Sequence, residues 1–217
     1  VYAMTAEFKP PKPKPSTNNW TEALRTMADD GEPDAMAWLG NSLLEDPKTR
    51  EEGIGWLKKS AEAGSAYGQN AMGMVCLSGI GQSVDKETAF RMFKLASDQG
   101  YSESTFTAGR MLMAGAGCDK DSNGGLGLIR QAADEGEIPA ILFLGRYFYG
   151  DRRGSRDAAQ AFAWFRWGAV MGSPEAQYWL GRMYYEGRGL PKDYNRAIQW
   201  LSSSSGQDYQ PASHYLE

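Results

Sequence analysis

A fixed period constrains this chain more than any other feature. Gly64, Gly100, Gly136 and Gly172 each close an apolar-periodic segment and stand 36 residues apart, with Gly31 a further 33 residues earlier. A second series, Gly40, Gly73, Gly109, Gly145 and Gly181, runs at spacings of 33, 36, 36 and 36 residues inside segments such as AMAWLG and EAQYWLG. A third, Asp85, Asp121, Asp157 and Asp193, again 36 residues apart, opens segments such as DKETAFRMFKLASDQG. Self-similarity at a period of roughly 20–50 residues marks a repeat architecture.

The residue types give each series a role. Glycine suits the left-handed residue that ends a helix. Aspartate is a strong N-cap because its carboxylate accepts the free amide hydrogens of the first turn. Each unit is therefore predicted to be a helix A carrying the central glycine, a turn with Gly-x-Gly or a variant, and a helix B ending in glycine. Five units span residues 32–64, 65–100, 101–136, 137–172 and 173–208. Trp20 to Gly31 has the phase of a lone helix B, and Ala212 to Leu216 that of the start of a helix A, so partial repeats stand at both ends.

Two units depart from the pattern. The first has a loop shorter by three residues and replaces the aspartate with Thr49-Arg50-Glu51-Glu52, the S/T-x-x-E form of a capping box. In the third, Ser122-Asn123-Gly124-Gly125-Leu126-Gly127 weakens the start of helix B.

Counting from the central glycine as zero, helix A positions −5, −1, 0, +3 and +4 are small or apolar in nearly every copy and share one helical face. Position −5 stays small (Ala35, Gly68, Ser104, Ala140, Ala176), which suits close approach of a neighbouring helix. Two helices cannot bury such faces alone, so stacking must supply the core. The predicted fold is all-α: an α-solenoid of helix–turn–helix repeats of about 36 residues over residues 20–217. Residues 1–19 scatter Pro10, Pro11, Pro13 and Pro15 among lysines and read as a flexible, extended arm.

Several function classes fall away on composition. A formal net charge of −4 gives no global field for nucleic acid. No run approaches the roughly 18 apolar residues of a membrane span. Cys76 and Cys118 lack metal-site spacing, and His214 is the one histidine, so neither a catalytic residue nor a metal site is assigned and no cofactor is expected. The Gly-x-Gly turns follow no strand and lack the GK[ST] ending of a phosphate loop, and Ser83-Val84-Asp85-Lys86 matches S-x-x-K without its companion motifs. Leu216-Glu217 is compatible with a native end and with a cloning remnant.

The pattern A-x-x-x-L-G-x-x-Y, G-x-G, Asp, A-x-x-W and A-x-x-G resembles the Sel1-like repeat, a relative of the tetratricopeptide repeat, and AQYWLGRMYYEGRGLPKDYNRAIQWL carries it most fully. The resemblance implies a right-handed α/α superhelix and a non-catalytic scaffold or adaptor for protein partners, in bacteria often exported and linked to the envelope, secretion or host contact. With the chain opening on Val1 and a Pro/Lys arm like a post-signal linker, a periplasmic or secreted location is expected, with the cytoplasm as alternative.

The candidate site lies opposite the core face of helix A. Position +1 reads Asn41, Met74, Arg110, Arg146 and Arg182, and position −2 reads Trp38, Ala71, Thr107, Phe143 and Trp179. Position −3 adds Phe106, Leu142 and Tyr178. Arginine interleaved with aromatics is the chemistry of interface hot spots. In related solenoids helix A lines the concave face, so Arg110, Phe143, Arg146, Trp179 and Arg182 are expected to floor a basic, aromatic groove for an extended peptide, with acidic groups favoured. The competing reading is that Trp38 and Trp179 pack between repeats and that the arginines pair with acids such as Glu186. A cell-wall hydrolase or β-lactam-binding activity and a self-assembling homo-oligomer stand as alternative functions.

Overall fold

The backbone of a helix can come close to another only where both lack bulk, and the helices of this protein are arranged around such points. The computed structural model describes residues 17–150 and 157–216. Residues 1–16 of the Pro/Lys segment, the fourth inter-helix turn with Gly154, and Glu217 lie outside the described residues. Among the described residues there are twelve α-helices and no strand, in two compact units divided in sequence after Val84.

The first unit holds α1 (Thr17–Asp29), α2 (Pro33–Leu43), α3 (Arg50–Glu62) and α4 (Ala66–Ser78). The second holds α5 (Lys86–Asp98), α6 (Ser102–Ala114), α7 (Ser122–Asp134), α8 (Ile138–Tyr149), α9 (Ala158–Val170), α10 (Pro174–Glu186), α11 (Tyr194–Ser205) and α12 (Gln210–Leu216). Odd-numbered helices are B and even-numbered ones are A. Within each unit every helix packs on the next in sequence, which is the α-solenoid connectivity. α1 begins at Thr17, inside the segment that reads as arm from sequence.

Local chemistry sets the helix ends. The carboxylates of Asp85, Asp121, Asp157 and Asp193 accept from the amides of Thr88, Gly124, Gln160 and Arg196 at 2.9–3.0 Å. The glycines of the 36-residue series, Gly31, Gly64, Gly100, Gly136 and Gly172, all take positive φ, from 84° at Gly100 to 94° at Gly31. The same register extends to Asp208, whose φ of 61° makes it the one non-glycine in that region among the described residues.

The capping box expected at Thr49 does not form. Thr49 is at φ −106° and ψ −5°, and its hydroxyl donates to the Leu43 carbonyl at 2.9 Å instead of accepting from the helix. Glu52 is turned to Arg25, 2.6 Å away, and to the Trp56 indole. The shortened loop turns the hydroxyl back on α2, and a tertiary ion pair takes the glutamate from its local role.

The Gly-x-Gly turns also have a packing explanation. In the third repeat Gly115, at φ 67°, ends α6, while a Cβ on Gly117 would lie 2.1 Å from the Lys86 carbonyl oxygen at the start of α5. In the fifth, a Cβ on Gly189 would meet Ala158 at 2.5 Å. The second glycine docks both of these turns on helix B of the preceding repeat. The turn closes with the amides of Asp121 and Asp193 bonded to the carbonyls of Leu112 and Tyr184. These two amides are therefore committed to the fold.

Helix A meets its own helix B at the central glycine. A Cβ on Gly109 would sit 2.8 Å from the Gly125 carbonyl oxygen, and one on Gly125 would sit 2.5 Å from that of Gly109. Gly40 and Gly53 repeat the contact in the first unit at 2.8 and 2.7 Å. Gly125, one of the glycines that weaken the start of α7 as an isolated helix, is therefore what allows it to seat. Position −5 then receives helix B of the preceding repeat: a Cβ on Gly68 would overlap Ser60, and Ala176 faces Gly168.

The core follows the predicted face, with Leu39, Leu144, Leu180, Phe93, Ile129 and Phe165 fully enclosed. It also takes in position +2, where Val75, Met111 and Met183 are buried, and polar side chains at −4. Gln177 donates to the Ala169 carbonyl at 3.3 Å and Thr105 bonds Ser97 at 2.9 Å, so these buried polar groups are satisfied where one repeat follows another.

Two glycines of α7 should respond oppositely to alanine. Gly125→Ala drives a Cβ into backbone and should cost about 1–3 kcal/mol. Gly127 faces open space, so Gly127→Ala should add about 0.5–1 kcal/mol by removing backbone freedom from the unfolded chain. Denaturant unfolding of the two full-length variants checks both signs.

Candidate partner-binding site

Stacking sets which outward side chains of successive A helices can touch. In the first unit Asn41, at +1 of α2, donates to the Tyr67 hydroxyl, at −6 of α4, at 2.7 Å. In the second, Arg146 at +1 of α8 forms an ion pair with Glu175 at −6 of α10. A contact from +1 to the next −6 is thus a recurring inter-repeat link.

The same register separates the three arginines. Opposite Arg110 it places Pro139, which offers no acceptor side chain, and four residues on in α6 stands Ala114. Among the described residues Arg110 makes no ion pair. Its guanidinium lies 5.7 Å from the centroid of Phe106. Arg182 would face Pro211 in register, and instead pairs within α10 with Glu186, four residues on, at 2.7 and 3.2 Å.

The aromatics form two groups. Phe106 of α6 meets Phe143 of α8 edge to face at 6.1 Å, and Phe143 stacks with Tyr147 at 6.3 Å, all partly exposed beside Arg110. In α10, Trp179 stacks on Phe165 at 5.5 Å with 8° between ring planes, meets Tyr149 edge-on at 5.2 Å, and donates its indole N–H to Glu175 at 3.3 Å. Arg110 and Phe143 thus belong to one group and Trp179 and Arg182 to the other, which Arg146 joins through Glu175.

The packing reading therefore applies to Trp179, and Trp38 likewise packs on the core of Leu24, Leu39 and Leu43. The basic floor expected from three arginines is reduced, because Arg146 and Arg182 each have a carboxylate. Glu186, one helical turn after Arg182, is the acid that sequence names as a partner of the arginines, whereas Glu175 and Tyr149 were not singled out.

Arg182 sits among four rings, 5.0 Å from Trp179, 5.7 Å from Tyr178, 5.8 Å from Tyr215 and 5.9 Å from Tyr149. Burial opposes its charge, but the Glu186 hydrogen bonds and the neighbouring tyrosine and glutamate fields outweigh that and hold the guanidinium more firmly protonated than usual. Burial likewise pushes the Glu186 carboxyl up, yet bonds from Tyr149 and Arg182 bring it below the usual carboxylate range. The Tyr149 hydroxyl, 2.5 Å from Glu186, is pushed up by burial and then by that carboxylate. Arg188 closes the network, 3.9 Å over the Tyr149 ring and donating to its carbonyl at 2.8 Å.

The other chemically notable residues are structural or exposed. Cys76 is buried and receives a bond from Gln82 at 3.3 Å. Burial, then Asp119, raises the Cys118 thiol, which is the opposite of activation. Both cysteines are free. His214 is exposed with Nδ1 3.0 Å from the Gln210 carbonyl, and among the described residues no three His, Cys, Asp or Glu side chains could hold a metal.

A model of the Sel1 repeat matches residues 33–65, 66–101, 103–137, 138–168 and 174–209. Among solved structures the chain is similar to a Sel1 repeat protein from Oxalobacter formigenes, with 25% identity and a TM-score of 0.77 over 89% of this chain and 79% of that one. It is similar in fold to c5321, a protective antigen of uropathogenic Escherichia coli strains, with 24% identity and a TM-score of 0.67 over 88% of this chain and 50% of that one. It is also similar in fold to the immunity protein PA5088 of Pseudomonas aeruginosa, with 18% identity and a TM-score of 0.57 over 94% and 78% of the two chains. No curated protein matches the chain.

The Arg182 network makes a pH-dependent contribution to stability. Glu186→Gln should cost roughly 1–3 kcal/mol at neutral pH, because it removes the partner of a half-buried guanidinium. The Glu186 pKa is lowered on folding, so the gap between wild type and variant should be full above about pH 5 and close as pH falls through the lowered value. Urea unfolding of both proteins across acid pH measures it.

Proposed function

Because this chain belongs to the Sel1 repeat family, we propose that it is a scaffold that binds an extended segment of a protein partner along the helix A face of its second unit. Sel1 repeat proteins are in general protein-interaction scaffolds, and the fold is typically non-enzymatic. The proposed contact residues are Arg110, Phe143, Arg146, Trp179 and Arg182, with the first two making direct contact and the others holding the floor in shape.

The observation that carries this reading is the state of Arg110. It is exposed, without an ion pair among the described residues, and set against Phe106, whose ring meets that of Phe143. A guanidinium beside partly exposed rings can take a carboxylate while the rings take the neighbouring apolar side chain. The proposed setting is the bacterial envelope or its exterior, supported by the Pro/Lys segment and the habit of the family.

The partner captured by the full-length native protein should be held at least about tenfold more weakly by Arg110→Glu. Phe143→Ala should weaken it as well, and circular dichroism should show both variants folded. Arg146→Glu and Arg182→Glu are unsuitable for this test, since each would set a carboxylate beside Glu175 or Glu186 and disturb the fold. Wild-type retention by the Arg110 variant would refute the groove assignment.

A further inference from the structure

One helix B differs from the others on its outer side. Five residues before the helix-ending glycine stand Lys59, Leu95, Gln131 and Trp167, and two residues before it stand Glu62, Asp98, Asp134 and Val170. All eight side chains belong to exposed residues except Glu62 and its successors' buried neighbours, so the comparison is kept to Lys59, Leu95, Gln131 and Trp167, which are all exposed. The exposure is a property of the position in interior repeats and does not depend on where the sequence stops. In α9 the stripe is apolar: Trp167 is 37% exposed, Val170 72%, and Met171, directly after the helix, 46%. Trp164 stacks on Trp167 at 5.7 Å with 22° between ring planes, which stiffens the pair. With exposed Ala163 the stripe presents on the order of 400 Å² of apolar surface, the size of the largest patch on an ordinary monomer and large enough to mark an interaction site.

The charges at its edges select the occupant. In α5 Lys94 pairs with Asp98, four residues on, at 2.8 Å. The same positions in α9 are Arg166 and Val170, so the change that makes the stripe apolar also takes away the helical partner of Arg166. Among the described residues Arg166 makes no ion pair. α7 lies on the Met171 side of α9, since a Cβ on Gly136 would be 3.6 Å from the Met171 methyl carbon. Two residues before Gly136, Asp134 is exposed and likewise makes no ion pair among the described residues. At 100° per residue Arg166 projects from α9 on the side away from Met171. The stripe is thus edged by an unmatched base on one side and an unmatched acid on the other.

Edges of opposite sign make a surface complementary to itself. A two-fold axis in the plane of contact, midway between Arg166 and Asp134, exchanges the two, so each arginine falls on the aspartate of the other copy and the apolar stripes meet over the axis. A standard interface buries about 800 Å² per partner, with an apolar centre and a polar rim. The stripe supplies about half of that as the centre, and the polar residues around it supply the rim. We infer that the outer face of α9 is an interface between two copies of this chain, with Trp167, Val170 and Met171 at its centre and Arg166 of each copy against Asp134 of the other. This surface belongs to a helix B, and the inference does not depend on the partner groove at Arg110 and Phe143.

Sedimentation equilibrium of the full-length protein from about 1 µM to about 500 µM should show a monomer–dimer equilibrium. Trp167→Gln with Val170→Asp installs the residues that α7 carries at these positions, so circular dichroism should show the helices intact while the dimer dissociates at least about tenfold more readily. Arg166→Asp and Asp134→Arg, each alone, set like charges against each other and should weaken the dimer. An equimolar mixture of these two single variants should dimerise as the wild type does, because every contact then pairs an acid with a base again. Arg110→Glu, on a helix A, should leave the dimer intact. A monomer at every concentration, a dimer unaffected by the stripe changes, or a mixture no better associated than its components would overturn the inference.

Discussion

The repeat depends on the near-contact between helix A and helix B at their smallest residues. Gly109 against Gly125, and Gly40 against Gly53, bring carbonyl oxygens to where a Cβ would have to be. Ala89, Ala161 and Ala197 hold the equivalent helix B position in the other repeats, and all three are buried. With that separation set, the helical period determines which residues point to the core and which point away. The outward ladder at +1 is thus a consequence of how tightly the inner face is seated. A methyl group at Gly109 or Gly125 would meet the carbonyl oxygen of the other.

This hierarchy explains what sequence could reveal. The aspartate caps, the end glycines and the unit boundaries are set by backbone chemistry within a few residues, and they are legible one repeat at a time. Thr49 is misleading because its local motif competes with two partners distant in sequence, the Leu43 carbonyl for its hydroxyl and Arg25 for Glu52. Gly124 and Gly125 mislead in the opposite direction: a propensity argument counts them as helix-weakening, while packing requires the smallest residue at Gly125. Buried Gln177 and Thr105 were also hidden, since their value lies in bonding the end of the preceding helix.

The site was legible as a ladder of residue types but not as a charge distribution. Knowing that Arg146 is paired, and that Arg110 makes no ion pair among the described residues, requires the register between one A helix and the next, which spacing along one chain does not supply. Once the Asn41–Tyr67 and Arg146–Glu175 links define that register, it sets Pro139 and Ala114, which offer no acceptor side chain, where the partners of Arg110 would stand. Trp179 shows the reverse case. Its sequence position matches that of Phe143, but the stacked ring of Phe165 commits it to packing.

The charge along the helix A face of the second unit is consequently uneven. Arg146 and Arg182 are each matched by a glutamate, and Arg110, beside Phe106, makes no ion pair among the described residues. Aromatic rings tolerate many partners, so on their own they would bind an extended chain in either direction. One unmatched cation breaks that symmetry, because a segment with an acid at one end sets it against Arg110 in only one orientation. Direction of binding would then be set by whether each arginine has a carboxylate within reach. That, in turn, was settled by a proline standing at one position of one repeat and a glutamate at the same position of the next.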